Sequence, residues 1–337
     1  MKHSLRTRGS SRNLSSAAAR ITRAASVHTE SISTKLAGLK DEPHSGLSAA
    51  ISPPSTEASY NLSGTVATLI GILLIGFLGH STVVSALRYE REQIVLTEQF
   101  RYELANGSAP VAQIDAEGDI YPIGTPVSFI SIPVLGITDS VVVEGTTSRA
   151  LTSGLGHRRD TVLPGQAGTS VIYGRQNTYG GIFGHLSELK AGDTITTTTG
   201  LGESSYTVTA VRWGGEGPAT LESGASRLTL VSTIGIPFLP DAIIRVDAVK
   251  NEESHPAPVS IMLPGYLMDS ETLLGTDDSA YLPLLLLVEL AAVFIFVAAW
   301  SRRFWGRWAT YVVATPALLS IGIGIGENVI ILLPNLY

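Results

Sequence analysis

The stretch from Ser205 to Ser232, SYTVTAVRWGGEGPATLESGASRLTLVS, decides the fold class of this chain. At its two ends, apolar and polar residues alternate in runs rich in Val, Thr and Leu, and the segment between them is rich in Gly and Ser. β-branched residues with period two favour strands, and Gly and Pro favour the turns between strands. The stretch therefore predicts two β-strands, Ser205–Trp213 and Arg227–Ser232.

The same pattern recurs on both sides of this stretch. Five further runs have it: Val127–Ile132, Ser140–Glu144, Thr169–Tyr173, Thr194–Thr198 and Ala242–Val249. Seven or eight short strands without a regular alternation of helix and strand are typical of a closed or nearly closed β-barrel. The sequence predicts a mainly β domain of this kind over residues 110–250.

The rest of the chain contains membrane-spanning patterns. Only 15% of the 337 residues are charged, and the mean hydropathy is +0.25. Three segments reach the roughly 20 apolar residues that a bilayer core requires: residues 62–87, 281–300 and 310–333. The segments between them are predicted to be a disordered cytoplasmic tail (1–61), a juxtamembrane helix (88–109), a linker (251–280) and a cytoplasmic loop (301–309).

Charge predicts the orientation of these spans. The first 61 residues carry eight Lys or Arg and four acids, and the short loop after the second span holds Arg302, Arg303 and Arg307. Basic flanks stay in the cytoplasm. We therefore expect a multi-pass protein of the cell membrane with a cytoplasmic N-terminus and an extracytoplasmic β-domain and C-terminus. A cleaved signal ending at Val84-Ser85-Ala86 is an alternative, although the apolar stretch is longer than a secretory signal requires.

The β-domain carries a series of short motifs whose order and spacing are more specific than any one of them. They are Ile130-Ser131-Ile132-Pro133 with Gly136, Leu151, Gly154, Gly156-His157, Pro164-Gly165 with Gly168, Val171-Ile172-Tyr173-Gly174, Phe183, Leu186, Leu189, Gly192-Asp193-Thr194-Ile195, Tyr206-Thr207-Val208, Leu228-Thr229-Leu230-Val231 and Arg245. Read in order, they resemble the sortase family, the membrane-anchored cysteine transpeptidases of Gram-positive bacteria. The resemblance implies an eight-stranded barrel that joins surface proteins to an amine through a thioester.

The resemblance also implies that this chain lacks two of the family's three catalytic groups. The family's nucleophilic Cys ends a run that corresponds to Thr229-Leu230-Val231-Ser232, so Thr233 takes its position. The family's His follows a run that corresponds to Val171-Ile172-Tyr173-Gly174, so Arg175 takes its position. Arg245 matches the family's oxyanion-stabilising Arg. We expect a degenerate, catalytically inactive member.

The chemistry of these side chains agrees with that expectation. The chain has no cysteine, so no thiol can act as nucleophile or metal ligand. A threonine hydroxyl needs an adjacent base to become nucleophilic, and a guanidinium cannot be that base because it keeps its proton. His157 and His185 remain as substitutes, although both occupy positions that look structural in the family.

The site can still bind a ligand. Arg175, Thr233 and Arg245 form a candidate pocket suited to a carboxylate or another anion. Alternatively, the arginines are solvated or paired with acids such as Asp193, Asp241 or Asp247.

The predicted spans contain three ionisable residues: His80, Glu289 and Glu327. Each lies roughly 10 Å below the outer surface if a helix rises about 1.5 Å per residue. Charges in lipid usually face a partner or water, so we expect these three to meet, or to lie near enough to the interface for water to reach them. Gly322, Gly324 and Gly326 in the third span permit close helix packing.

These observations leave three functions open. The first is a pseudoenzyme that serves as a peptide-binding or assembly module at the outer face of a Gram-positive, actinobacterial-type envelope. The others are a divergent transpeptidase or hydrolase that uses Thr233 or Ser232 with Arg245, and a structural subunit of a larger membrane complex. The expected partners are a cell-envelope protein, a peptide like a sorting signal or membrane subunits. No cofactor, metal site or nucleic-acid patch is predicted.

Overall fold

The computed structural model describes residues 56–236 and 239–337. In this part of the chain the strands are β1 Pro126–Ile132, β2 Ile137–Glu144, β3 Leu155–His157, β4 Gly168–Tyr173, β5 Thr194–Thr199, β6 Gly202–Trp213, β7 Ser226–Ile236 and β8 Leu239–Lys250. They close into a barrel in the order β1-β2-β3-β4-β7-β8-β6-β5. The predicted closed barrel is confirmed.

Only β3 has no counterpart among the predicted strands. Its three residues, Leu-Gly-His, are too few to show an alternating pattern. β3 pairs in parallel with β2 and antiparallel with β4. Its conformation therefore comes from its neighbours in the sheet.

Alternation along the strands separates the barrel core from an outer face. In β7, Leu228 and Leu230 are fully buried in the core. Side chains alternate between the two faces of a strand, so Arg227, Thr229 and Val231 lie on the outer face. β4 runs parallel to β7, with Tyr173 opposite Val231. The carboxyl ends of both strands therefore reach the same rim of the barrel.

Within residues 56–236 and 239–337, four α-helices accompany the barrel: α1 Thr56–Gly79, α2 Ser85–Asn106, α3 Tyr281–Trp305 and α4 Arg307–Leu332. A π-turn, His80–Val84, joins α1 to α2. Three helical stretches are long and apolar enough to cross a membrane: Leu62–Asn106, Asp278–Trp305 and Arg307–Leu332. The predicted disordered tail lies outside the described residues, except for its last residues, 56–61, which begin α1.

The second half of the first long helix packs on the barrel. Phe100 of α2 is fully buried, and its ring centroid lies 4.9 Å from that of Phe129 on β1. The Gln93 side chain accepts a hydrogen bond from the Val141 backbone N–H at 2.8 Å. α2 ends at Gly107, whose left-handed φ of 67° places its N–H on helix carbonyls. α2 is therefore attached to the barrel rather than projecting freely.

The linker and the loop differ from expectation. Residues 251–280 form a strap held to the barrel, in which the fully buried Glu271 carboxylate accepts hydrogen bonds from Arg159 at 2.7 and 2.8 Å. The predicted loop, residues 301–309, is helical except at Gly306, which separates α3 from α4. The φ of 81° at Gly306 lets the chain turn from α3 into α4 within one residue. The charge pattern of the sequence does not reveal how short this turn is.

Candidate functional site

The outer faces of β4, β7 and β8 form a groove that ends at the shared rim. We call it the outer groove and define it by Val171 and Tyr173 of β4, Thr229, Val231 and Thr233 of β7, and Arg245 of β8. Arg175 follows the carboxyl end of β4, and Thr233 lies near that of β7. Thus the parallel pairing of two strands brings these two predicted site residues to one end of the groove.

This rim end is filled by the chain itself. Residues 333–337, which follow α4 and are here called the α4 tail, lie in the groove. Leu336 is fully buried in an apolar cluster with Leu151, Tyr173 and Val231. Asn335 donates its amide N–H groups to the backbone oxygens of Thr146 at 2.7 Å and Thr272 at 2.9 Å. The tail is therefore held by both apolar and polar contacts.

Thr233 contacts the tail directly. Its side chain is buried, and its Oγ1 lies 3.0 Å from Gln176 Oε1 and 3.2 Å from the Leu336 backbone oxygen. The backbone N–H of Gln176 donates to the same Leu336 oxygen at 3.0 Å. Both neighbours of the hydroxyl are neutral amide oxygens, which accept its hydrogen bond but are not bases that could remove its proton.

Arg175 is the other partner of the tail. Its buried guanidinium donates to the backbone oxygens of Tyr337 at 2.9 Å and Ser148 at 2.7 Å. It also lies 5.5 Å from the centroid of the Tyr179 ring, within cation–π range. Burial lowers the pKa of Arg175 to about 10. The group is still charged at neutral pH, so it acts as a hydrogen-bond donor and not as a base.

Arg245 does not join this arrangement. It pairs across the sheet with Val231, two residues before Thr233, and its Nη1 donates to the Gly214 backbone oxygen. It lines a cavity of about 350 Å³ on the outer face, further along the groove from the tail. The predicted three-residue pocket is therefore divided. The tail contacts both Arg175 and Thr233, whereas the Arg245 side chain bonds to Gly214, the residue that follows β6.

Among the described residues, the side chains of the alternative catalytic residues form no hydrogen bond with Thr233. His157 on β3 is fully buried, with Nδ1 at 2.9 Å from Glu144 Oε2 and Nε2 at 2.9 Å from the Val162 oxygen. Burial alone would lower the pKa of His157, but the charge and hydrogen bond of Glu144 outweigh it and raise the pKa. His185 is exposed and paired with Glu188. Ser232 donates to the Gly174 oxygen at 2.9 Å.

Polar residues also connect the site to the helices. His80 is fully buried, and its Nε2 lies 3.5 Å from the hydroxyl of Tyr179, the aromatic partner of Arg175. Glu327 of α4 forms an ion pair with Arg88 at 2.5 Å. Gly326 packs on the imidazole of His80, where an added Cβ would lie 3.1 Å from the ring. These contacts join the π-turn, α2, α4 and the barrel into one polar junction.

Glu289 does not take part in the predicted contact with His80 and Glu327. It is exposed on α3, and within residues 56–236 and 239–337 it has no hydrogen bond or ion pair. Its helix face points away from α1 and α4, an outcome that depth counting along separate helices cannot reveal. The structure replaces the predicted triad with the ion pair of Arg88 and Glu327 beside His80.

Sequence reasoning missed the α4 tail and Tyr179. The only local signal in the tail is Pro334, which predicts the end of the preceding helix but not where the chain goes next. Tyr179 lies in a turn of the barrel with a positive φ of 50°, which is uncommon for a residue other than glycine. In the described part of the chain, no three His, Asp or Glu side chains converge as metal ligands would.

Comparison with known proteins finds a family model that matches part of this barrel. A sequence model of the Sortase domain matches residues 130–232, which run from β1 into β7 and include Arg175. Over these residues the barrel is similar to the sortase family. Thr233 and Arg245 lie just beyond the matched residues of the sortase domain. No curated protein sequence matches the chain.

Solved structures similar to the chain are sortases. The sortase D5 transpeptidase of Clostridium perfringens is 18% identical, with a TM-score of 0.40, and the match covers 48% of this chain and 99% of that one. Sortase E from Streptomyces avermitilis is 28% identical, with a TM-score of 0.34, and the match covers 39% and 91% of the two chains. A pilus-island sortase C2 of group B Streptococcus is 18% identical, with a TM-score of 0.36 and coverages of 49% and 98%.

Proposed function

We propose that this protein is a catalytically inactive sortase-like membrane protein, whose barrel is a peptide-binding and assembly module at the outer face of a Gram-positive, actinobacterial-type envelope. In this proposal the chain crosses the membrane three times, with a cytoplasmic N-terminus. The observation that carries it is the α4 tail, a peptide segment bound where a transpeptidase would hold its nucleophile.

The chemistry of the rim supports the proposal that the protein is catalytically inactive. Thr233 stands where the resemblance places the family's cysteine, and the groups nearest to its hydroxyl are an amide oxygen and a backbone carbonyl. Arg175 stands where the resemblance places the histidine and stays protonated at neutral pH. A hydroxyl without a base does not attack a peptide carbonyl at a useful rate.

The contacts of the tail indicate the kind of ligand that this site accepts. The groove supplies hydrogen bonds to the backbone oxygens of Leu336 and Tyr337 and an apolar site for one side chain. Backbone contacts with a side-chain pocket are a general mode of peptide recognition. The ligand is therefore an extended peptide with a leucine-like residue at the buried position.

The position of Arg245 bears on the enzymatic alternative. A Thr233-dependent transpeptidase or hydrolase would need Arg245 near the carbonyl under attack. Arg245 instead lines the cavity further along the groove and donates a hydrogen bond to the Gly214 backbone oxygen. This geometry favours binding over turnover.

The exposed Glu289 favours the assembly part of the proposal. A carboxylate in the apolar part of a membrane helix is expensive unless it is paired. Glu289 lies eight residues into α3 with no partner in the described part of the chain. A membrane subunit with a basic or hydrogen-bonding side chain at this depth would supply a partner for the Glu289 carboxylate.

The tail itself supplies the ligand for a direct test. The Leu336→Asp variant of the full chain, in detergent, places a charge in the apolar site and should expel the tail. This variant and the parent protein are each titrated with a labelled peptide of residues 333–337, LPNLY. We expect the peptide to bind this variant at least about tenfold more tightly than the parent protein, whose own tail competes. Anisotropy measures binding. Mass spectrometry tests for cleavage or transfer to an added amine.

Matched controls make the result specific. A peptide with Asp in place of its leucine at the position of Leu336 should not bind. Asn335→Ala loosens the tail without placing a charge in the groove, and it replaces Leu336→Asp if that variant melts early. Absence of binding to both variants contradicts the peptide-binding proposal, and a product that Thr233→Ala abolishes contradicts inactivity.

A further inference from the structure

The cavity that contains Arg245 is rich in positive charge. It lies on the outer face of β4, β7, β8 and β6, at the end of the outer groove away from the tail, and has a volume of about 350 Å³. Four arginines line it, Arg158, Arg212, Arg227 and Arg245, and Glu216 is the one acid in its lining. We call this cavity the arginine pocket.

Two of these arginines have internal counter-ions. Asp247 accepts hydrogen bonds from Arg212 Nη2 at 3.0 Å and from the Thr229 hydroxyl at 2.7 Å, and it forms an ion pair with Arg212 Nε. Arg158 is paired with Asp160 at 2.8 Å. The two nearby aspartates are thus already engaged.

Arg227 and Arg245 have no carboxylate partner in the described part of the chain. Arg227 is only 5% exposed, and its hydrogen bond goes to the Ala219 backbone oxygen at 2.6 Å. Arg245 lies directly opposite Arg212 in the β6–β8 register. Like charges opposite each other across strands repel, and a buried charge without a counter-ion is costly.

We propose that the arginine pocket binds a carboxylate side chain of the peptide that lies in the outer groove, through Arg227 and Arg245. A guanidinium binds a carboxylate with two parallel hydrogen bonds, which suits these two groups because neither has a carboxylate partner among the described residues. The ligand is a peptide because the pocket and the site of Leu336 are continuous: Tyr173 and Val231 line both. This inference rests on the proposed peptide-binding function and adds acidic character to its ligand.

Binding of two matched peptides tests the inference. One labelled octapeptide alternates Leu and Glu, the other alternates Leu and Gln, and each is titrated into the full chain in detergent. We expect the Glu peptide to bind at least about tenfold more tightly at low salt, and the difference to shrink in high salt. Arg227→Gln and Arg245→Gln should each remove most of this preference. Arg149→Gln, an exposed arginine elsewhere, should keep it.

Equal affinity for the two peptides overturns carboxylate recognition, as does an Arg227→Gln or Arg245→Gln variant with unchanged preference. If Arg227→Gln does not fold, the Arg245→Gln variant, which changes a half-buried residue, decides the outcome. If LPNLY binds the Leu336→Asp variant and neither octapeptide binds the parent or that variant, the pocket inference fails and the proposed function stands. If LPNLY does not bind either, the proposed function itself fails.

Discussion

His157 shows how a single side chain in this barrel is held in one protonation state. Both of its ring nitrogens face acceptors, the Glu144 carboxylate and the Val162 carbonyl, so the doubly protonated ring satisfies both contacts. Its pKa is raised above the ordinary value of 6.5. The folded state therefore binds the proton more tightly than the unfolded state. The stability that protonated His157 gives the folded state is fully present below pH 6.5, and it is lost as the pH rises through the raised pKa.

The stability of the protein should therefore fall as the pH rises above 6.5, the ordinary pKa of the group. His157→Gln should remove this pH dependence, and it should lower the stability by about 3–5 kcal/mol at acidic pH, because a buried ion pair is broken. Thermal melts of the full chain between acidic and alkaline pH measure both effects. The exposed His185→Gln is the control, and the idea is wrong if both variants keep the parent profile.

At the scale of elements, α1 and α4 approach closely through glycines. A Cβ added to Gly322 would lie 2.3 Å from the Leu73 backbone oxygen, and one added to Gly76 would lie 2.6 Å from the Leu319 oxygen. The obstacles are backbone atoms, so side-chain motion cannot relieve them. The small-residue pattern of the third span thus has a direct structural consequence in the packing of these two helices.

Gly322→Ala should destabilise the helix pair by about 1–3 kcal/mol, the usual cost of overpacking. Gly71→Ala on α1 is the matched control, because no atom lies within 4 Å of its added Cβ. Melting temperature in detergent and protease resistance of the helical region report the difference. Equal behaviour of the two variants would show that α1 and α4 do not pack as described.

At the scale of the whole molecule, the absence of cysteine makes the proposed orientation directly measurable. Single cysteines at Asp278, Glu203 and Arg303 lie at exposed positions of the strap, the barrel and the C-terminal part of α3. In intact cells, a membrane-impermeant maleimide should label Asp278→Cys and Glu203→Cys, and it should reach Arg303→Cys only after permeabilisation. Labelling of Arg303→Cys in intact cells would disprove the three-pass orientation.

Features with a local signature were predictable. Strand alternation and apolar length are properties of neighbouring positions, so they predict seven of the eight described barrel strands and the three apolar helices. Arg175 and Thr233 are singled out only by the resemblance to the sortase family. The exception among the strands, β3, is too short to carry a period. The sequence predicts only a linker for the strap, because Glu271 looks like an ordinary surface acid and its partner Arg159 is distant in the chain.

The sequence by itself therefore determined the barrel, the apolar helices and the absence of a thiol at position 233. Only the tertiary structure decided what fills the site. Arg175 meets Tyr337 across 162 positions and Thr233 meets Leu336 across 103, and such contacts have no period that a sequence can display. They arise because the helices return the end of α4 to the barrel rim, where burial of Leu336 and hydrogen bonds to its backbone oxygen stabilise the tail.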